Sequence, residues 1–305
     1  MLTQTLSATL ELPALPALSE FEFRSLRRED IPALYETLLA VERADERDIV
    51  ISLEELQHEF DDPWSDAETD ALVALTAAGQ PIGYARTFQN PQPEEEVRCY
   101  INVEVHSTQR ATGLEGALFE WAEARARQRL CMVPGDRSRV IRSGIHDTQT
   151  QRQTQLEQHG YHIARSFYRM QRDLSEPIPA VQLPADLALR VYVPDLGEAT
   201  HQAFNEAFRD HWSFDPVTGE DWEKFFVGRP SFRPDLTYLV MDGAEIAGFS
   251  LNCISPEENA RRGRSAGWIE ELAVRRAWRK RNEWRSCRCR CPGDRAWRAI
   301  SCAGA

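Results

Sequence analysis

The sequence predicts an α/β protein of the α+β kind, built as two copies of one module in which a mixed sheet is flanked by helices. Three observations predict it. Strand-like and helix-like stretches succeed one another along residues 21–172, and the same order restarts at Leu187. Gly83-Tyr84 in the first run matches Gly248-Phe249 in the second, and Val105 matches Val274, so the repeat holds its order through three strands. Between the runs, Ser175 to Pro184 contains Pro177, Pro179 and Pro184 and reads as a linker.

Each element of the first copy has its own signal. Residues 21–27 alternate as a strand does, and Asp30 can cap a helix over Ile31–Val41, with Leu34, Leu38 and Val41 on one face. A second short helix is expected over Leu53–Phe60. Strands follow near Ala71–Thr76, Pro81–Phe88 and Val97–Val105, separated by the turn Gly79-Gln80 and by the acidic loop Pro91–Glu96. An amphipathic helix runs over Leu114–Leu130. Val140–Ile145 then reads as a strand, Thr148–Gln158 as a helix and Tyr161–Arg172 as a final strand region. In the second copy Leu189–Val193 is the first strand, Leu196–Phe208 and Glu220–Phe226 are helices, and Thr237–Met241, Ile246–Ile254 and Trp268–Val274 are strands. The expected division is an N-terminal segment over 1–20, a first domain over 21–174, a linker over 175–186, a shortened second domain over 187–281 and a basic tail over 282–305.

The tail breaks the pattern. Apolar residues do not recur at helical spacing after Asn282, Pro292-Gly293 would stop a helix, and Arg alternates with Cys through Cys287, Cys289 and Cys291. A shift of reading frame just after Arg281 would produce such a composition, and the tail is then expected to hold no packed element; a genuine alternative C-terminus is the competing reading. A one-residue spacing puts neighbouring cysteines on opposite sides of an extended chain, which does not suit zinc, so no metal is expected.

Composition narrows the function. Formal net charge is −12, although ten Lys/Arg face only two acidic residues within 275–298, so the rest of the chain is more acidic still. Such a surface does not suit general nucleic-acid binding and attracts cationic or amine-bearing substrates. Glu11, Pro13 and Pro16 interrupt the first apolar residues, no run approaches the length of a membrane span, and seven cysteines so placed do not form a disulfide framework. The expected location is the cytoplasm, with no membrane partner.

The residues that carry chemistry begin at Arg110-Ala111-Thr112-Gly113-Leu114-Glu115, between the strand ending at Val105 and the helix from Leu114. A helix start leaves backbone N–H groups without partners and directs the positive end of its dipole at one point, and Gly lets a backbone approach an anion closely. The plainer reading is an ordinary loop glycine. The arrangement begins again at Trp268–Val274 followed by Arg279-Lys280-Arg281, where Asn282 stands in the place of the glycine.

With this element order, the Arg110-x-x-Gly113 loop resembles the GNAT superfamily of acyl-CoA-dependent N-acetyltransferases, of tandem type. The stretch Phe208–Thr218 and Trp222 add to that resemblance. It implies a sheet whose fourth and fifth strands splay apart, with the pantetheine of acetyl-CoA in the gap and the pyrophosphate on the loop. Val103 and Val105 would meet pantetheine through the backbone, and Arg110, Thr112 and Gly113 would hold phosphate. In the second copy Leu272, Val274, Arg279 and Arg281 would do the same. Glu115 departs from the family's small residue, and Leu156 stands where a Tyr often protonates the leaving thiolate. Glu270 and Glu271 lie on the strand that would line the second cleft, and one of them is expected to be the base that takes a proton from an attacking amine; the plainer reading of either is a solvent-facing carboxylate. Asp210, His211 and Trp212 follow the second copy's first helix, where an acceptor pocket is expected, although His211 also reads as a residue at a helix end. The implied function is transfer of an acetyl group to a primary amine of a small molecule, with a catalytically degenerate acyl-CoA-binding or scaffolding protein as the alternative.

Overall fold

The computed structural model describes residues 11–47, 51–178, 180, 182–279 and 296–303, the last segment as backbone. The first half runs β1 (Glu22–Ser25), α1 (Ile31–Ala44), α2 (Leu53–Phe60), α3 (Ala67–Asp70), β2 (Ala71–Leu75), β3 (Pro81–Gln89), β4 (Glu96–Val105), α4 (Leu114–Met132), β5 (Ser138–His146), α5 (Thr150–Gln158) and β6 (His162–Tyr168). The second half adds β7 (Leu187–Val191), α6 (Gly197–Phe208), α7 (Gly219–Trp222), β8 (Tyr238–Asp242), β9 (Glu245–Cys253), α8 (Pro256–Arg262) and β10 (Trp268–Val274). A last strand, β11, spans Ala296–Ala303.

Two sheets result. One has the order β1-β2-β3-β4-β5-β11-β6 and the other β10-β9-β8-β7, so each half begins with the same four-stranded antiparallel meander. The repeat extends to its irregularities. β2 and β3 slip register beside Gly83, and β8 and β9 slip beside Gly248. A Cβ on Gly83 would stand 3.1 Å from Glu104 O, and one on Gly248 would stand 2.9 Å from Ala273 O. Close backbone approach therefore requires glycine at the same place in both copies.

Two faces of the first sheet are covered. Leu114, Leu118, Trp121, Ala122, Ala126 and Leu130 of α4 bury one side, while Ile31, Leu34, Val41 and Leu56 of α1 and α2 cover the other. Arg125 also lies on the buried side of α4, where its Nε meets Asp70 at 2.9 Å, so the charge is paired rather than stranded. In the second half Phe204, Trp222, Phe226 and Phe249 form an aromatic core. The helix expected over Glu220–Phe226 is instead α7 followed by a π-type turn over Glu223–Val227.

One expectation is corrected. The tail is expected to hold no packed element, yet β11 pairs antiparallel with β5 on one side and β6 on the other, and so completes the first sheet. The loop after α6, where an acceptor pocket is expected, docks on the first half. Trp212 lies on the Arg142 guanidinium at 4.4 Å and beside Phe167 at 6.0 Å, Ser213 Oγ accepts from Arg98 at 3.2 Å and from Arg142, and Asp215 pairs with Arg98.

Candidate functional site

β4 and β5 run parallel and in register from Glu96/Ser138 to Ile101/Ser143, and beyond that point they no longer pair. Residues 102–105 of β4 therefore face a gap, the splay that the resemblance implies. At its mouth the loop tightens into a 3-10 turn over Ser107–Thr112, and Gly113 takes φ +82°, with open space where a Cβ would be. Only glycine adopts that backbone without strain. Gly113 at the N-cap of α4 has no side chain to cap it, and of the first-turn amides Leu114 N–H reaches Thr112 Oγ1 at a long 3.4 Å.

The gap is not free. Arg152 of α5 donates to Val103 O, and its guanidinium lies 3.5 Å from Glu104 and 3.8 Å from Glu115. Glu104 is buried and also holds Arg47 through both oxygens, at 2.8 and 2.7 Å. Burial pushes its carboxyl up, but Arg47 and Arg152 outweigh that and hold it below its ordinary range. Arg110 is likewise engaged, 2.6 Å from Asp45. Thr112 Oγ1 donates to Gln109 O at 2.7 Å. The resulting cleft, of about 410 Å³, is lined by Asp45, Glu104, Arg110, Glu115, Gln149 and Arg152 among others. Deeper in, between Val103, Phe119 and Leu156, only about 10 Å³ remains. Leu156 is buried in the apolar core, so no proton donor stands there.

The second half differs where it counts chemically. β4 pairs with β3 without irregularity, whereas β10 has a bulge against β9: Ile269 faces Asn252, Glu271 faces Leu251, and Glu270 is the extra residue. A bulge breaks the strict alternation of side chains, so the rule that only one of Glu270 and Glu271 can face the cleft does not hold here. Glu270 is exposed and Glu271 half-buried. Burial pushes the Glu271 carboxyl up to about 7, the neighbouring Glu270 adds to the rise, and Arg229 opposes it. By the match of Val105 with Val274, the counterpart of Glu271 in β4 is Asn102, whose amide donates to Tyr84 Oη at 2.9 Å. The first half has no carboxylate at this place.

Among the described residues β10 has no partner on its outer edge. Ile269 and Leu272 are 65% and 68% exposed, an apolar face of a size that asks for a cover. Val274 packs instead with Trp278 and Leu187. Arg279 turns back on its own half, donating to Val274 O at 2.7 Å and lying 3.5 Å from Asp210, which Arg276 also holds. Arg281 and Asn282 lie outside the described residues. Of the residues expected at the acceptor pocket, Asp210 pairs with Arg276, the His211 ring lies 5.8 Å from that of Phe208, and Trp212 lies on Arg142. Sequence reasoning missed Arg152 and Arg229. The first had a signal, since it sits one helical turn before Leu156 and so on the same face of α5; the second follows an irregular turn and had none.

No family model matches the chain. It is 32% identical over 116 residues to the mycothiol acetyltransferase of Acidothermus cellulolyticus, a match covering 37% of this chain and 35% of that protein. A second mycothiol acetyltransferase, from Thermobispora bispora, is 34% identical over 87 residues, 28% of this chain and 29% of that protein. The matches thus span about a third of the length of these curated relatives. Similarity in structure reaches much further. A GCN5-related N-acetyltransferase from Sphaerobacter thermophilus superposes with a TM-score of 0.69 at 22% identity, over 95% of this chain and 97% of that one. A tandem GNAT protein from the clavulanic acid biosynthesis pathway gives 0.61 at 15% identity, over 93% and 98%.

Proposed function

We propose that this chain, a tandem protein of the GNAT fold, transfers the acetyl group of acetyl-CoA to a primary amine of a small molecule, with its base in the second half. The observation that carries the reading is the bulged strand β10, with Glu271 half-buried and titrating about 7 beside Glu270. An amine reaches an enzyme at neutral pH mostly as its ammonium form and must lose a proton before it can attack. A carboxylate whose pKa lies near the working pH is suited to that step, being about half ionised there and basic enough to take the proton. Attack by the free amine on the acyl carbon then forms the amide and releases the thiol, with no covalent enzyme intermediate. Along the outer edge of β10, which has no strand partner among the described residues, the backbone at Leu272 would receive the pantetheine chain, and at Val274 the chain would displace the Arg279 side chain from Val274 O. The acidic surface attracts the ammonium form of the acceptor.

A second reading, an acyl-CoA-binding or scaffolding protein without turnover, is favoured by one set of observations in the first half. Arg152 occupies Val103 O, and Leu156 offers no proton. The two readings separate in one assay. Thiol release from acetyl-CoA is followed with a panel of primary amines, beside CoA affinity by calorimetry. The proposal expects turnover that Glu271→Gln lowers by about 10²-fold or more while CoA affinity is kept. Turnover indifferent to Glu271→Gln and Glu270→Gln but lost on Gly113→Trp would move the site to the first half. CoA binding with no turnover on any amine would leave the scaffold.

A further inference from the structure

We infer that Glu55, which belongs to the first half, is a positioning residue for the carboxylate pair of the second: it holds the Arg229 guanidinium beside Glu270 and keeps it from closing on Glu271. The geometry is a chain across the boundary between the halves. Glu55 is buried in the first turn of α2. Its Oε1 accepts from Ser231 N at 3.1 Å, and its Oε2 lies 3.8 Å from Arg229 Nε. Arg229 Nη1 in turn stands 4.0 Å from Glu270 Oε2. Both separations are beyond hydrogen-bond length, so the cation is balanced between two carboxylates and clamped to neither.

The backbone on both sides fixes this placement. Gly228 closes the turn before Arg229 through its N–H to Glu223 O at 2.8 Å, and a Cβ there would collide with that same oxygen at 2.3 Å. On the other side α2 is tied to the segment before Arg229. His58 Nε2 meets Lys224 O at 2.7 Å, Lys224 Nζ donates to His58 O at 2.6 Å, and Trp64 Nε1 donates to Asp221 at 2.8 Å. Glu55 sits one turn from His58 on that helix, and so its carboxylate is delivered to Arg229 by an element docked on the second half.

The groups around Glu271 are few. Glu270 adjoins it on β10, Arg229 approaches from the turn after α7, and Glu55 stands behind Arg229 on α2. Directly across on β9 is Leu251, which is apolar, and Cys253 lies near Glu270, Arg229 and Glu55 as a neutral thiol, pushed by burial up to about 11. Glu59, one turn after Glu55 on α2, also feels Arg229, together with Arg86, and burial pushes its carboxyl up. Four carboxylates thus share the field of one guanidinium, and neutralising Glu55 leaves more of it to Glu270 and Glu271; an opposite charge brought closer favours the ionised carboxylate. The base would then be ionised at lower pH and be a weaker base. This gives the first half a task in the chemistry of the second.

The inference rests on Glu271 being the base, so the test reads the carboxyl itself as well as turnover. The Glu271 carboxyl is titrated by carbon-13 NMR in the full chain, assigned by its loss in Glu271→Gln, alongside the pH profile of kcat/KM. Because the neighbouring Glu270 carboxylate raises Glu271, the series is repeated with Glu270→Gln. Glu55→Gln keeps an oxygen for Ser231 N–H and should lower the Glu271 midpoint by about one unit, roughly a tenfold change in the ionised fraction on the acid side. The acid limb of kcat/KM should move with it. Arg229→Gln should move both the other way, and Glu55→Asp should restore the parent values. A Glu271 midpoint unmoved in folded Glu55→Gln protein overturns the inference. Should that variant fail to fold, an unmoved midpoint in Arg229→Gln overturns it equally. A shifted midpoint without any turnover would sustain the positioning role and sink the proposed function instead.

Discussion

Arg152→Ala should open the first half to CoA, and the size of the effect follows from its contacts. The guanidinium makes one charge-assisted hydrogen bond, to Val103 O, and two looser ion pairs at 3.5 and 3.8 Å. Its side chain is only 11% exposed, so solvent screens little of this. Glu104 is not orphaned by the change, because Arg47 keeps both of its oxygens. The loss in stability is therefore that of one hydrogen bond to a charged donor, about 2 kcal/mol. A pantetheine chain that pairs with β4 must break the same contact, so the same free energy now opposes binding and is recovered in the variant. Taken alone it amounts to about thirtyfold in affinity, at about 1.4 kcal/mol for each tenfold. Removing a cation near the phosphate loop works against this. Glu115 is left less compensated, which costs up to about 1 kcal/mol and reduces the gain to about fivefold. Arg152→Ala with Glu115→Gln should recover most of the thirtyfold. Calorimetric titration with CoA reads both, and Gly113→Trp in the double variant should abolish the new binding by filling the space beside a glycine at φ +82°. An affinity unchanged in the double variant would refute the reasoning, since Arg152 would then not be what closes the gap.

The remaining predictions concern stability and the tail. The folded-state pKa of Glu271, about 7, lies above its ordinary value of 4.5, so the native state binds the proton more tightly than the unfolded chain and stability falls as pH rises from about 4.5 to about 7. Glu271→Gln should accordingly raise the melting temperature at pH 8 and leave it nearly unchanged at pH 4; an equal effect at both would show that the carboxyl is not strained by burial. Amides of residues 297–302 should exchange slowly with solvent, because β11 is paired on both sides. Fast exchange there, with β5 protected, would return the segment to an unstructured tail.

How much of this was legible depended on the range of the interaction that decides each feature. The meander of each half was readable because alternation and turn glycines are local, and Gly83 and Gly248 could be matched although their reason, a neighbouring carbonyl about 3 Å from a would-be Cβ, cannot be seen in the sequence. β11 was not readable. A strand inserted between two others more than a hundred residues away in the chain carries no local mark of its partners, and helical spacing is not the period of a strand. The bulge at Glu270 was hidden for a related reason, since two adjacent carboxylates read the same whether or not one is an extra residue. Trp212 is a third case. A Trp beside His and Asp after a helix suggests a pocket, yet buried Arg98 and Arg142 of the first sheet need partners, and the loop supplies Ser213, Asp215 and the indole. Buried arginines without partners are costly, so the first half and the loop after α6 are matched to one another. On the proposed reading, Glu55 and Arg229 would extend that matching from stability to chemistry, so that what looks in sequence like two separable copies would meet, at the carboxylate pair, in one site built from both.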